Sequence, residues 1–161
     1  MDTDFRFTRT YRKLVSSTNI NPCSLLATDY LNHFNEVVMI LEMVADMPDM
    51  IDEALAWEPK SYTGHFEDST FADRELAIWS YENAPLNFIE SFEALVSEGD
   101  ALILSHVREI SELIGNVGED ELRNRVGVAC REINLHLEKI SAVINGSIAS
   151  LGQEEIDQIM G

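Results

Sequence analysis

Apolar residues recur at intervals of three or four through most of the chain, a spacing that places them on one face of an α-helix. Asn21 and Pro22 have the residue types of a helix N-cap and first helical position. The apolar positions after them predict a helix of about six turns that ends before Pro48. Its apolar stripe consists of Leu26, Tyr30, Phe34, Val37, Leu41 and Val44.

Shorter elements are predicted in the next part of the chain. A short acidic helix is expected over residues 49–57, since Pro59 interrupts the helical pattern. Residues 60–69 contain Gly64 among mixed polar residues and are predicted to form a loop. Thr70 and Asp73 then have the spacing of a capping pair for a helix that runs to about Asn83.

The most regular pattern lies between residues 85 and 145 and predicts a long antiparallel helical hairpin. One broad apolar stripe follows Pro85 to about Ile114, and a second runs from residue 119 to about Asn145. The GNVG sequence at 115–118 supplies a C-cap and a turn between them. A hairpin cannot cover both of its own stripes, so it is expected to pack on the earlier helices or on a second subunit. No segment has the pattern of a β-strand, and the predicted fold class is an all-α helical bundle.

The last eleven residues form a separate acidic segment with an apolar stripe of its own. In LGQEEIDQIMG, the residues Leu151, Ile156, Ile159 and Met160 gather on one side at helical spacing. Ser150 with Gln153 has the spacing of a capping box, so a short amphipathic helix can start here independently of the helix before it. The predicted organisation is a basic arm over 1–20, a helical bundle domain over 21–146 and a recognition tail over 147–161.

The net charge bears on which partners the chain can bind, and the cysteines bear on whether its compartment is reducing. The 161 residues carry 29 acids against 11 bases, a net charge of −18, which repels phosphate backbones and anionic lipid. Nucleic acid and membranes are therefore not expected as partners. Cys23 and Cys130 lack the spacing of a zinc site or disulfide framework, and we expect a reduced cytoplasmic protein. Export and membrane insertion are not expected, since the first residues show no apolar stretch of a signal peptide and no run of about eighteen apolar residues occurs.

Few residues have the spacing of a chemical site. His33 with Glu36 and His106 with Glu109 are pairs three apart on two long predicted helices, as ligands of a carboxylate-rich metal site would be. With 29 acids such pairs arise by chance, so no metal or cofactor is predicted, although a helical metal protein or enzyme remains an alternative. No nucleophile motif or phosphate-binding loop occurs. A stripe of methionines is expected to lie mainly in the core rather than on a binding face; it consists of Met39, Met43, Met47 and Met50.

The tail resembles a known recognition segment. LGQEEIDQIM is similar to the LSQxEIDxLL segment that opens the flagellar switch protein FliM, and to the SQDDIDALF-type tails of CheZ-like chemotaxis proteins. In those families the segment is a short amphipathic helix that docks on the receiver protein CheY. The matching positions in this chain are Leu151, Gln153, Glu155, Ile156 and Asp157, with Ile159 and Met160 in place of two leucines. Gly152 replaces the serine of the motif, and a glycine is tolerated at an N-cap.

The resemblance implies a non-catalytic signalling protein whose tail binds a CheY-like receiver, in chemotaxis, motility or two-component control. CheZ-like proteins also carry a long hairpin and dimerise, so a homodimer is expected. Their catalytic FQDxTGQ stretch is absent, and CREINLH at 130–136 contains no glutamine. A receiver phosphatase of altered motif remains a further alternative, for which the acid and amide pairs near the turn are Asp120 with Asn124 and Glu112 with Asn116. Packing of the tail on its own bundle is the competing interpretation of its apolar stripe.

Overall fold

The computed structural model describes residue 15 and residues 18–69 and 72–146 of the chain. These residues form six α-helices and two short 3-10 helices, the latter at Thr28–Leu31 and Pro48–Met50. Their β-structure amounts to one isolated antiparallel bridge between Ile20 and Ala27. The α-helices are α1 (Asn32–Val44), α2 (Ile51–Ala56), α3 (Tyr62–Glu67), α4 (Arg74–Glu82), α5 (Leu86–Leu113) and α6 (Glu119–Ile144). The all-α prediction is confirmed.

Helices α5 and α6 form the predicted antiparallel hairpin. Pro85 is the N-cap of α5, and Gly115 has a φ of +84° in the turn, a conformation that L-residues with a side chain seldom adopt. The two helices approach closely at Gly99, where an added Cβ would lie 3.0 Å from Cδ2 of His136. His136 Nε2 is in turn 2.6 Å from the carbonyl oxygen of Leu95, which fixes the register of the hairpin.

The hairpin packs on the earlier helices of the same chain. Arg123, at the start of α6, pairs with Asp46 just beyond the end of α1 at 2.6 Å. At the other end, the Ser24 hydroxyl donates to the carbonyl of Ile144, the last residue of α6. Helix α1 therefore runs antiparallel to α6. A single core fills the space between the helices, and its largest fully buried side chains include Tyr30, Phe34, Phe66, Phe92, Ile103, Ile110, Ile133 and Ile140. None of the described helices is long and apolar enough to cross a membrane.

The predicted start of the first helix is wrong by about ten residues. Asn21 does act as a cap, but its Oδ1 accepts from the backbone N–H groups of Cys23, at 2.8 Å, and Ser24, at 3.1 Å, within a tight turn. Leu25 then adopts a φ of +62°, which turns the chain back so that Ile20 faces Ala27. A 3-10 turn leads from there into α1, which ends at Val44 as expected.

The loop predicted at 60–69 contains helix α3. Ser61 caps it, because its Oγ accepts from the N–H of Gly64 at 3.0 Å. Tyr62 and Phe66 lie four residues apart and are both buried, so this one-and-a-half-turn helix is held by packing. The predicted short helix at 49–57 is observed as the 3-10 turn followed by α2, and α4 ends close to the expected residue.

The methionine stripe does not belong to the core. Met39, Met43 and Met47 are 61%, 43% and 48% exposed, and only Met50 packs against the buried cluster. Core packing was expected because these residues follow the helical repeat of α1. In the structure the same helix buries Phe34, Val37 and Leu41 instead, so the methionines lie on its outer side.

Candidate functional site

The predicted recognition tail lies outside the described residues. This applies to all of its proposed contact residues, namely Leu151, Gln153, Glu155, Ile156, Asp157, Ile159 and Met160. The structure does describe the end of the helix that precedes the tail in the sequence. Helix α6 ends at Ile144, and Gly146 has a φ of +95° while its N–H bonds to the carbonyl of Val143 at 3.0 Å. A Cβ at Gly146 would lie 3.2 Å from Cβ of Cys23, so the chain is closely packed here.

His33 and Glu36, the first pair considered for a metal, have different environments. The His33 ring stacks on Trp57, with ring centroids 4.8 Å apart and an interplanar angle of 21°. Its Nε2 is 2.5 Å from the carbonyl of Glu58, and since a carbonyl only accepts, Nε2–H donates. Trp57 Nε1–H donates to the His33 carbonyl at 2.9 Å. His33 thus ties α1 to the end of α2, while Glu36 is exposed beside it.

His106 and Glu109, the second pair, belong to a hydrogen-bonded network across the hairpin. His106 Nε2 lies 2.7 Å from a carboxylate oxygen of Glu132, and Arg125 Nη2 lies 2.9 Å from His106 Nδ1. Arg125 also pairs with Glu109 and holds the pKa of that carboxyl below its usual range. Because a guanidinium only donates, Nδ1 accepts and Nε2 carries the proton in this arrangement. Both imidazole nitrogens are therefore occupied within the fold.

The two histidine–glutamate pairs do not form one site. Their hydrogen-bond partners differ, and no group of three or more His, Cys, Asp or Glu side chains within residues 18–69 and 72–146 is arranged to hold a metal ion. Cys130 is buried, and burial raises the pKa of its thiol to about 11, which disfavours the nucleophilic thiolate.

The acid and amide pairs near the hairpin turn are on the surface. Asn116 Nδ2 donates to the backbone carbonyl of Glu112 at 2.7 Å, so this amide caps the end of α5. Asp120 and Asn124 are exposed on the first turns of α6. An exposed pair of this kind does not form a pocket around a reacting phosphoryl group.

Sequence reasoning did not identify a cleft of about 240 Å³ between α3, α4 and α5. We call it the tyrosine cleft and define it by Tyr30, Tyr62, Tyr81, Phe92, Glu93 and Asp100. The rings of Tyr62 and Tyr81 stack with centroids 4.6 Å apart and an angle of 16°, and Phe92 meets Tyr62 edge-on at 5.6 Å and 87°. The walls of the cleft are thus interlocked aromatic rings that hold one another in place.

The three tyrosine hydroxyls of the tyrosine cleft all have hydrogen-bond partners. The Tyr30 hydroxyl donates to the Lys60 carbonyl at 2.5 Å, and the Tyr81 hydroxyl donates to the Glu93 carboxylate. The Tyr62 hydroxyl accepts from the buried N–H of Ala27 at 2.9 Å. Burial raises the pKa of all three phenols, so they stay neutral.

Asp100 is the exception in this cleft. Its Oδ1 is buried and has no hydrogen-bond partner in the part of the chain that the structure describes. Burial raises the pKa of this carboxyl to about 6, so it is largely ionised at neutral pH despite its surroundings. A buried acceptor without a donor is uncommon in folded proteins and marks Asp100 as a binding candidate.

Together the described residues define an all-α helical bundle with an aromatic, acidic cleft. No protein family, curated protein or solved structure matches the chain.

Proposed function

We propose that the chain is a non-catalytic signalling protein that binds a CheY-like receiver through its tail. The observation that carries the proposal is the sequence of residues 151–160, whose apolar positions and acids match the receiver-binding segments described above. In this mode an amphipathic helix lays its apolar face in a groove of the partner. Leu151, Ile156, Ile159 and Met160 would be the anchors, and Gln153, Glu155 and Asp157 would set the orientation.

The end of α6 supports the proposal. A glycine with positive φ two residues after the last helical residue is the usual way for a helix to stop and the chain to change direction. Gly146 is such a residue, and it precedes the Ser150 and Gln153 capping pair. The tail is thus separated from α6 in the sequence by a helix stop, and the capping pair that follows is where we expect a new helix to begin.

The distribution of histidines favours binding over catalysis. The ring nitrogens of His33, His106 and His136 make hydrogen bonds to a backbone carbonyl, a carboxylate or an arginine. The fourth, His65, packs against Tyr30 and Phe66, and burial lowers the pKa of its imidazole. Each histidine therefore has structural contacts in the bundle. The acid and amide pairs near the hairpin turn are exposed, and the Asn116 amide caps α5, so we propose that the chain binds its receiver without accelerating loss of the phosphoryl group.

The test is a titration of a receiver panel, with and without a phosphoryl mimic, against the full chain and against a truncation that ends at Gly146. We expect the full chain to bind and the truncation not to bind. Ile156→Ala should weaken binding at least about tenfold, because truncating an anchor buried at the centre of an interface costs about 2 kcal/mol or more. The matched control Gln158→Ala, on the polar side, should stay within about twofold.

Two further readouts separate the competing interpretations. A tail that packs on its own bundle would lower the melting temperature when it is removed, whereas a tail that serves a partner leaves it unchanged. A shortened phosphoryl lifetime on the receiver would instead favour the phosphatase. Equal binding by the truncation, or no binding by any receiver, contradicts the proposal.

A further inference from the structure

The tyrosine cleft has the composition of a cation site. Its lining among the described residues includes two carboxylates, Glu93 and Asp100, and no lysine, arginine or histidine. Lys60 precedes the lining in the sequence, and its backbone carbonyl accepts the hydrogen bond from the Tyr30 hydroxyl. Its side-chain Nζ lies 3.3 Å from a carboxylate oxygen of Asp68. No basic side chain of the lining neutralises the Asp100 carboxylate, so an anionic ligand would be repelled.

The aromatic walls distinguish the type of cation. A metal ion such as Mg²⁺ or Ca²⁺ prefers several oxygen ligands, and here Glu93 is already hydrogen-bonded to the Tyr81 hydroxyl. The other lining residues are aromatic, aliphatic or hydroxyl-bearing, and among the aromatic rings Tyr81 is the one that is more than slightly exposed. Aromatic rings bind alkylammonium groups, because the negative face of the ring attracts the cation while its methyl groups contact apolar carbon.

We propose that the tyrosine cleft binds a small organic ammonium ion, with the charge paired to Asp100 and the alkyl groups against the rings of Tyr81 and Phe92. The volume of about 240 Å³ fits this class of ligand. Clefts that hold drug-sized ligands measure roughly 300–1,000 Å³, so the tyrosine cleft is too small for a nucleotide or a peptide.

The half-buried carboxylate of Asp100 gives the ligand a reason to bind. One of its oxygens is buried without a donor from the described residues, and a cation held against the accessible part of this side chain recovers some of the free energy that the burial costs. The aromatic rings that line the cleft are fixed by contacts with one another: Tyr30 meets Phe92 at 5.5 Å, and Tyr81 meets Phe92 at 6.3 Å. The walls are thus formed before the ligand arrives, and little ordering accompanies binding.

The experiment uses the full chain and two probes of nearly equal shape. Choline carries the charge, and 3,3-dimethylbutan-1-ol replaces its quaternary nitrogen by carbon. Both are titrated by calorimetry and by amide chemical shifts at about 0.15 M salt, which screens the general attraction of an acidic surface for cations. We expect choline to bind at least tenfold more tightly than the neutral alcohol, with shifts concentrated at residues 92–100.

Variants locate the site. Asp100→Asn should weaken choline binding at least tenfold, and Asp52→Asn, which removes the same charge from an exposed position on α2, should not. Tyr81→Leu should weaken choline binding with the bundle still folded, since Tyr81 is only partly buried. Equal binding of the two probes, no choline binding, or unchanged binding by Asp100→Asn would each overturn the proposal. If a variant fails to fold, the comparison of the two probes on the wild-type chain still decides.

Discussion

The Tyr62 hydroxyl offers a stringent test of how the bundle is held together. Tyr62 is 3% exposed, and its hydroxyl oxygen accepts from the backbone N–H of Ala27, which is fully buried. This bond joins α3 to the turn that precedes α1, across 35 positions of sequence. The substitution Tyr62→Phe removes one oxygen atom and leaves the ring in place.

The magnitude follows from what remains after the oxygen is gone. The phenyl ring keeps its contacts with Phe66, at 4.7 Å, and with Tyr81, at 4.6 Å, so the apolar burial hardly changes. The N–H of Ala27 loses its partner in a place that water does not reach. Leaving a buried donor unsatisfied costs about 1–3 kcal/mol. For a domain of this size, each kcal/mol lowers the melting temperature by about 2–4 °C.

Urea unfolding followed by far-UV circular dichroism measures the change. The matched control is Tyr81→Phe, which deletes the same atom from a hydroxyl whose partner, Glu93, is exposed and can bond to water instead. We expect the control to cost less than about 0.5 kcal/mol. If the two variants lose equal stability, or if Tyr62→Phe loses less than about 0.5 kcal/mol, burial of the Ala27 donor does not determine the cost and the reasoning is refuted.

Three other outcomes are expected. Ser24→Ala removes the donor to the last carbonyl of α6 and should cost about 1–3 kcal/mol in urea unfolding, because Ser24 is fully buried; a loss within error would contradict this. Gly118→Ser should stabilise by about 0.3 kcal/mol, since α6 has no side-chain N-cap bond, while Gly115→Ser at φ +84° should destabilise by about 1 kcal/mol; equal signs would contradict the assignment of cap and turn. The melting temperature of Asp100→Asn, relative to that of the wild type, should rise as the pH is raised from 4 to 7.5. The folded-state pKa of about 6 lies above the ordinary 3.8, so the folded wild type binds more protons and loses stability as pH rises through this range, and a pH-independent difference would exclude that.

The hairpin was predictable because its signals are local. Its stripes run over many turns, and the glycines at 115 and 118 lie between them, so helix, turn and helix can be inferred without tertiary information. The start of the first helix could not be predicted in this way, because the Asn21 side chain fits two local structures: it can cap a helix or close a tight turn. Contacts outside the segment choose between them, including the bond from Ser24 to Ile144, 120 residues away.

Helix α3 was missed for a related reason. Six residues are too few to show a helical period, and Gly64 suggested a loop. The Ser61 cap is visible in the sequence, but it becomes informative only once Tyr62 and Phe66 are known to be buried. Short helices depend on packing for their stability, so their sequences carry little independent signal.

The tyrosine cleft could not be predicted, because its members come from distant segments. Tyr30 lies in the 3-10 turn before α1, Tyr62 begins α3 and Tyr81 lies in the last turn of α4. Asp100 lies on α5 among acids that look alike in the sequence. What distinguishes Asp100 is tertiary: one of its oxygens is buried and receives no hydrogen bond from the described residues. A buried polar group that violates the usual rule of hydrogen-bond satisfaction is a better pointer to function than residue type alone.

The tail and the tyrosine cleft are proposed as two separate binding elements, and this makes both proposals easier to test. Truncation after Gly146 removes none of the described residues that line the cleft, so choline binding should survive it. Asp100→Asn changes a residue on α5 and leaves the tail sequence intact, so receiver binding should survive that change in turn. If choline binding were lost on truncation, the tail would have to complete the cleft, and the competing interpretation, in which it packs on its own bundle, would then be favoured.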